Sequence, residues 1–118
     1  MRKLALLAAM ALTMGTAVPA IAHTHLVRST PTANQTLAAP STLTLTFNER
    51  VAPAFSSAQV TMPAHDMTVP STMRLSSDGK TMTITPRSAL ARGSYLIHWT
   101  AAGSDGHRME GNVPFTVR

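Results

Sequence analysis

The segment Thr42-Leu43-Thr44-Leu45-Thr46-Phe47 alternates without exception between hydroxyl and apolar side chains, and no other feature constrains the chain as strongly. Successive side chains of an extended strand point to opposite faces, so Leu43, Leu45 and Phe47 share one face and the threonines the other. Helical periodicity is absent from the rest of the chain after the N-terminal segment. Short runs rich in Thr, Val and Leu follow one another instead, at about Leu26 to Ser29, Ser57 to Met62, Met73 to Leu75, Thr81 to Thr85, Ser94 to Thr100 and Asn112 to Val117. Pro31, Asn34, Pro40, Pro53, the Pro63 to Pro70 stretch, Ser77-Asp78-Gly79-Lys80 and Gly103 to Gly111 supply the turns between them. About seven short strands with closely spaced turns predict an all-β domain, a Greek-key sandwich or barrel of immunoglobulin-like build. No internal repeat and no interdomain linker interrupts it.

The N-terminus reads differently. Met1-Arg2-Lys3 precedes the apolar run Leu4-Ala5-Leu6-Leu7-Ala8-Ala9-Met10-Ala11-Leu12, a charged cap on a run too short to span a membrane. Ala20-Ile21-Ala22 then supplies the small-x-small pattern that signal peptidase accepts, directly before His23. Residues 1–22 are therefore expected to be an export signal that is removed, leaving residues 23–118 as one domain in the periplasm, with His23 first. Val18-Pro19-Ala20 is a weaker competing site that would leave Ile21 at the front.

Charge and composition narrow the function. Removing Arg2 and Lys3 leaves eight basic residues against five acidic ones, and the basic residues are scattered along the chain. With only one Trp, one Tyr and three Phe to stack bases, nucleic-acid binding is unsupported. There is no cysteine, so neither disulfides nor thiolate ligands are available, and soft metal ligation falls to methionine. No nucleophile stands with a base and oxyanion donors, and no phosphate-binding glycine loop is present.

Two elements carry metal chemistry. As a first residue, His23 offers an ion its imidazole and its α-amino nitrogen together, closing a small chelate ring; a frayed terminal residue is the plainer reading. Ser104-Asp105-Gly106-His107 presents a carboxylate and an imidazole two residues apart, a spacing that lets both converge on one ion, although Asp-Gly is also an ordinary turn.

These residues sit in a longer series: His23-Thr24-His25-Leu26-Val27, Ser29-Thr30-Pro31, Leu45-Thr46-Phe47-Asn48-Glu49, Phe55-Ser56, Gly93-Ser94-Tyr95, Trp99, Ser104-Asp105-Gly106-His107, Gly111 and Phe115. In that order they resemble the periplasmic copper-resistance protein CopC family over essentially the whole of residues 23–118. The resemblance implies a Greek-key β-sandwich and a Cu(II) site formed by His23, Asp105 and His107, in a protein that carries or buffers copper and catalyses nothing. Some members add a glutamate after the alternating strand. Glu49 stands at that place, where a solvated strand-end charge is the alternative. The implied partner is an inner-membrane copper importer of the CopD type, with another periplasmic copper protein as the alternative. Amine, imidazole and carboxylate donors suit tetragonal Cu(II), and zinc can use the same set.

Three further readings stay open. A free amine with His25 at the third position can wrap Cu(II) in a planar site through the backbone nitrogens of Thr24 and His25. This mode needs no fold but must break whatever pairing those amides make. Met62, Met67 and Met73, with His65, offer three thioethers and an imidazole to Cu(I), or else pack as ordinary apolar residues. His98 alternates with Tyr95, Ile97 and Trp99 and is expected to be a surface residue of its strand. Two rivals to a copper carrier remain. A histidine-brace monooxygenase shares the N-terminal histidine but needs an open oxygen position and aromatic residues for sugar. A metal-free immunoglobulin-like module needs no copper at all.

Overall fold

The computed structural model describes Gly15 and residues 23–118; the expected export signal and its cleavage site fall in residues 1–22 and so, Gly15 apart, lie outside the described residues. Nine strands follow in chain order: β1 Leu26–Thr30, β2 Gln35–Leu37, β3 Leu43–Phe47, β4 Ser57–Met62, β5 Met67–Val69, β6 Ser71–Leu75, β7 Thr81–Pro86, β8 Gly93–Ala102 and β9 Arg108–Val117. They form two sheets packed face to face, one ordered β1-β3-β7-β6 and the other β2-β9-β8-β4-β5. All seven strands anticipated from the sequence are present. The two additional ones, β2 and β5, are three residues each, too short to show alternation, and each is held by its neighbour. β2 lies parallel to β9 with Gln35 opposite Phe115, and β5 folds back on β4 with Met67 opposite Met62. Among the described residues no helix is long and apolar enough to cross a membrane.

Alternation does what the sequence requires of it. Leu43, Leu45 and Phe47 on β3 are buried, as are Met82 and Ile84 on β7, Tyr95, Ile97, Trp99 and Ala101 on β8, and Val113, Phe115 and Val117 on β9. Burying one such large apolar side chain contributes about 1.5–3 kcal/mol, and with no cysteine in the chain no disulfide adds to it. Phe47 meets Trp99 edge-on at 5.1 Å, and Tyr95 stacks on Phe115 at 5.2 Å, which ties the sheets together and β8 to β9. Gly111 faces Trp99 across the β8–β9 ladder, where a Cβ would come within 2.6 Å of the indole, so this strand position admits only glycine.

β8 and β9 pair over their whole length, from Gly93 opposite Val117 to Ala102 opposite Arg108. The turn joining them lies beside the segment that leads into β1.

Candidate metal centre

The turn from Gly103 to His107 is closed by its own backbone and by one carboxylate. The Gly106 amide donates to the Gly103 carbonyl at 3.1 Å, and Gly106 itself sits at φ 77°, a left-handed conformation that costs glycine little. The Asp105 carboxylate turns back on the chain: its Oδ1 accepts from the His107 amide at 3.0 Å, and its Oδ2 lies 3.2 Å from His107 Nδ1. The amide bond chiefly, with the nearby imidazoles of His107 and His23, holds the Asp105 carboxyl below its ordinary range. It is thus ionised wherever an imidazole is neutral enough to bind a metal. Nδ1 of His107 faces the carboxylate while the side chain as a whole is largely exposed.

His23 comes to this turn from the other sheet. Its ring lies 6.1 Å from that of His107, centroid to centroid, and one donor atom from each of His23, Asp105 and His107 falls within 4.8 Å of the others. Metal bonds of about 2.0–2.1 Å space donors roughly 3–4 Å apart, so small side-chain rotations suffice to close this set around one ion. All three side chains are exposed. The donors offered, two imidazoles and a carboxylate, fit a borderline divalent ion such as Cu(II).

What holds His23 there is less visible from sequence. Thr24, between two exposed histidines, is only 1% exposed. Its hydroxyl donates to Glu49 Oε1 at 2.7 Å, and both groups lie directly against the buried backbone of Gly103. Asn48 clasps the same segment: its side-chain Oδ1 accepts from the His25 amide at 2.8 Å, its Nδ2 donates to the His23 carbonyl at 3.1 Å, and its backbone amide donates to the His25 carbonyl at 3.1 Å. The β1–β3 ladder therefore continues past Leu26, and a bulge that leaves Val27 exposed adjusts the strand on its way in. Sequence reasoning found the three donors but not Thr24, Asn48 or Gly103 as their support. Thr, Asn and Gly are common in strands and turns, and no spacing marks these three out.

Glu49 thus stands beside the cluster rather than within the group of three, with one oxygen taken by Thr24. The His25 ring is exposed and its Nδ1 donates to the His23 carbonyl at 3.1 Å. The methionine stretch divides. Met62 and Met67 are cross-strand partners lining a hollow of about 180 Å³, and His65 lies in a single 3-10 turn, Pro63–His65, between them. Met73 is on β6 in the opposite sheet, opposite Ile84 and packed against the core, as Met62 also is in part. Met67 is 55% exposed. His98 is a surface residue of β8, its Nδ1 donating to Asn112 Oδ1 at 2.9 Å and its Nε2 3.6 Å from Glu110.

Comparison with known proteins agrees with this architecture. Residues 26–118 match the model of the CopC domain. The chain is 39% identical to Copper resistance protein C of Escherichia coli over 114 residues, covering 91% of this chain and 90% of that protein. It is 37% identical to Copper resistance protein C of Xanthomonas campestris pv. juglandis over 105 residues, 84% of this chain and 83% of the other. The crystal structure of PcoC, a methionine-rich copper resistance protein from Escherichia coli, superposes with a TM-score of 0.75 at 39% identity, over 82% of this chain and all of that one.

The packing of Gly103 yields a direct test of how the N-terminal segment is held. In Gly103→Ala the added methyl falls on Glu49 Oε1 and Thr24 Oγ1. The expected outcome is a loss of about 1–3 kcal/mol in urea unfolding, with amide chemical shifts disturbed at residues 23–25 and 48–49 and unchanged in β4 and β5.

Proposed function

Because the chain belongs to the CopC domain family, we propose that it is a periplasmic copper-binding protein that holds Cu(II) through His23, Asp105 and His107 and buffers it or hands it on. The observation that carries this reading is the convergence of those three donors from two sheets onto one exposed point. Removal of residues 1–22 would add the α-amino nitrogen of His23, making an N-terminal chelate plus an imidazole and a carboxylate. Copper heads the divalent series for such a donor set. Exposure favours cargo over a resident cofactor, since an acceptor's ligands can reach the ion and replace the protein's one at a time. A CopD-type membrane transporter is the acceptor we propose. Glu49 is assigned the outer donor, through the oxygen that Thr24 leaves free. Binding rather than catalysis fits a site in which Asp105 would be a third protein donor, where a monooxygenase needs a place open to oxygen.

The methionine hairpin supports a second, softer site. Met62 and Met67, joined by His65 and with Met73 packed in the facing sheet, supply thioethers of the kind that bind Cu(I). The similarity to a methionine-rich copper resistance protein favours the same reading.

The Cu(II) assignment predicts that an alanine placed before His23 lowers Cu(II) affinity more than about tenfold, as do Asp105→Ala and His107→Ala, while the far-ultraviolet circular dichroism of all three stays that of the parent. His25→Ala has the smaller effect. Loss of binding in His25→Ala with none in the turn variants would replace this site with the planar N-terminal one.

Thioethers carry no proton to displace, whereas amine and imidazole donors must lose theirs to bind a metal and are lost to it in acid. Competition with a chromophoric Cu(I) chelator is therefore expected to show Cu(I) binding that persists near pH 5. Replacing Met62, Met67 and Met73 together by Leu, at nearly constant apolar volume, abolishes it. Unchanged binding in the triple variant would make the methionines packing alone.

A further inference from the structure

We infer that the Asn48 side chain is a specificity-determining positioning residue, which keeps copper out of the planar N-terminal mode by occupying the backbone nitrogen that this mode requires. This rests on the proposed Cu(II) site and on His23 being the first residue. Such a chain carries two rival sites that share one amine. One uses Asp105 and His107. The other needs only His23, Thr24 and His25: the amine, two deprotonated backbone nitrogens and the imidazole of His25 in one plane. The second is local and closes small rings, so something in the fold must disfavour it if the first is to be used.

The geometry points to Asn48. Of the two amides the planar mode consumes, that of His25 is hydrogen-bonded to Asn48 Oδ1 at 2.8 Å. A nitrogen that donates this bond must give up both the bond and its proton to become a ligand. The same carboxamide holds the His23 carbonyl through Nδ2, at 3.1 Å, and so fixes the peptide between His23 and Thr24 from the other side. Thr24 adds a second anchor, its buried side chain being bonded to Glu49. Wrapping His23 to His25 around one ion would require the Asn48 bracket to open, whereas the site with Asp105 and His107 leaves it intact. The His25 ring Nδ1, which the planar mode also needs, is turned to the His23 carbonyl.

The test compares the processed protein, its first residue fixed by intact mass, with Asn48→Ala and Asn48→Asp, each loaded with one equivalent of Cu(II) at one pH near neutrality. Visible absorption and electron paramagnetic resonance separate the modes, because two deprotonated amide nitrogens in the plane raise the ligand field and shift the d–d band to shorter wavelength. Asn48→Ala removes both side-chain bonds and is expected to raise the ratio of planar to cluster-bound copper by about five- to tenfold, the scale of the single bond to the His25 amide that the planar mode must break. In the copper-free protein, hydrogen exchange of the His25 amide is expected to quicken by a similar factor of about five to ten. Asn48→Asp retains the oxygen acceptor for the His25 amide but loses the Nδ2 donor to the His23 carbonyl, and is expected to raise the ratio less than Asn48→Ala does. Adding His25→Ala to Asn48→Ala is expected to remove the planar signal. A parent spectrum that responds to Asp105→Ala, combined with an Asn48→Ala spectrum identical to it, overturns the role of Asn48 and leaves the Cu(II) site standing. A parent that is already planar and indifferent to Asp105→Ala overturns both.

Discussion

The antiparallel pairing of β8 with β9 is the interaction on which the rest of the molecule depends. It contributes Tyr95, Ile97, Trp99 and Ala101 from one strand and Val113, Phe115 and Val117 from the other to a single buried layer. The turn that closes it bears Asp105 and His107, so the same ladder that builds the core fixes the carboxylate and imidazole at its tip. Gly111 leaves room for the Trp99 indole, which in turn meets Phe47 of the opposite sheet. Site and core are two ends of one hairpin.

Onto that hairpin the N-terminal segment docks from the other sheet, and its supporting contacts are sheltered while its functional groups are not. Thr24 is buried and Glu49 half-buried against Gly103, but His23, Asp105 and His107 are all exposed. This division suits a protein whose proposed task is to hold an ion and release it. The backbone positions are fixed by hydrogen bonds among Asn48, Glu49 and residues 23–25, which limits the entropy lost when donors gather. The side chains that would touch the ion stay open to an incoming ligand set.

Much of this was legible in the sequence, for reasons that differ by element. The run from Thr42 to Phe47 is strictly alternating because one face is core and the other solvent, and its pattern is therefore readable directly. β2 and β5 were not readable, since three residues show no period and their existence depends on β9 and β4. Asp105 and His107 were legible as a pair because a turn brings residues two apart onto one side. Their meeting with His23 rests on pairing between strands far apart in sequence, and only the likeness to CopC pointed to it. Thr24, Asn48 and Gly103 act through burial and backbone hydrogen bonds, which leave no local pattern. The methionines show the converse: a run that looks like one cluster in sequence is divided between two sheets, with Met62 and Met67 on one and Met73 on the other.

A crystal structure of the processed protein carrying one equivalent of Cu(II) would show directly which donors hold the ion. A single copper is expected there, bonded to the amine and imidazole nitrogens of His23, the His107 imidazole and the Asp105 carboxylate, with Asn48 still bonded to the His25 amide. Copper seated on the backbone nitrogens of Thr24 and His25, with Asp105 and His107 unligated, would contradict the proposed site.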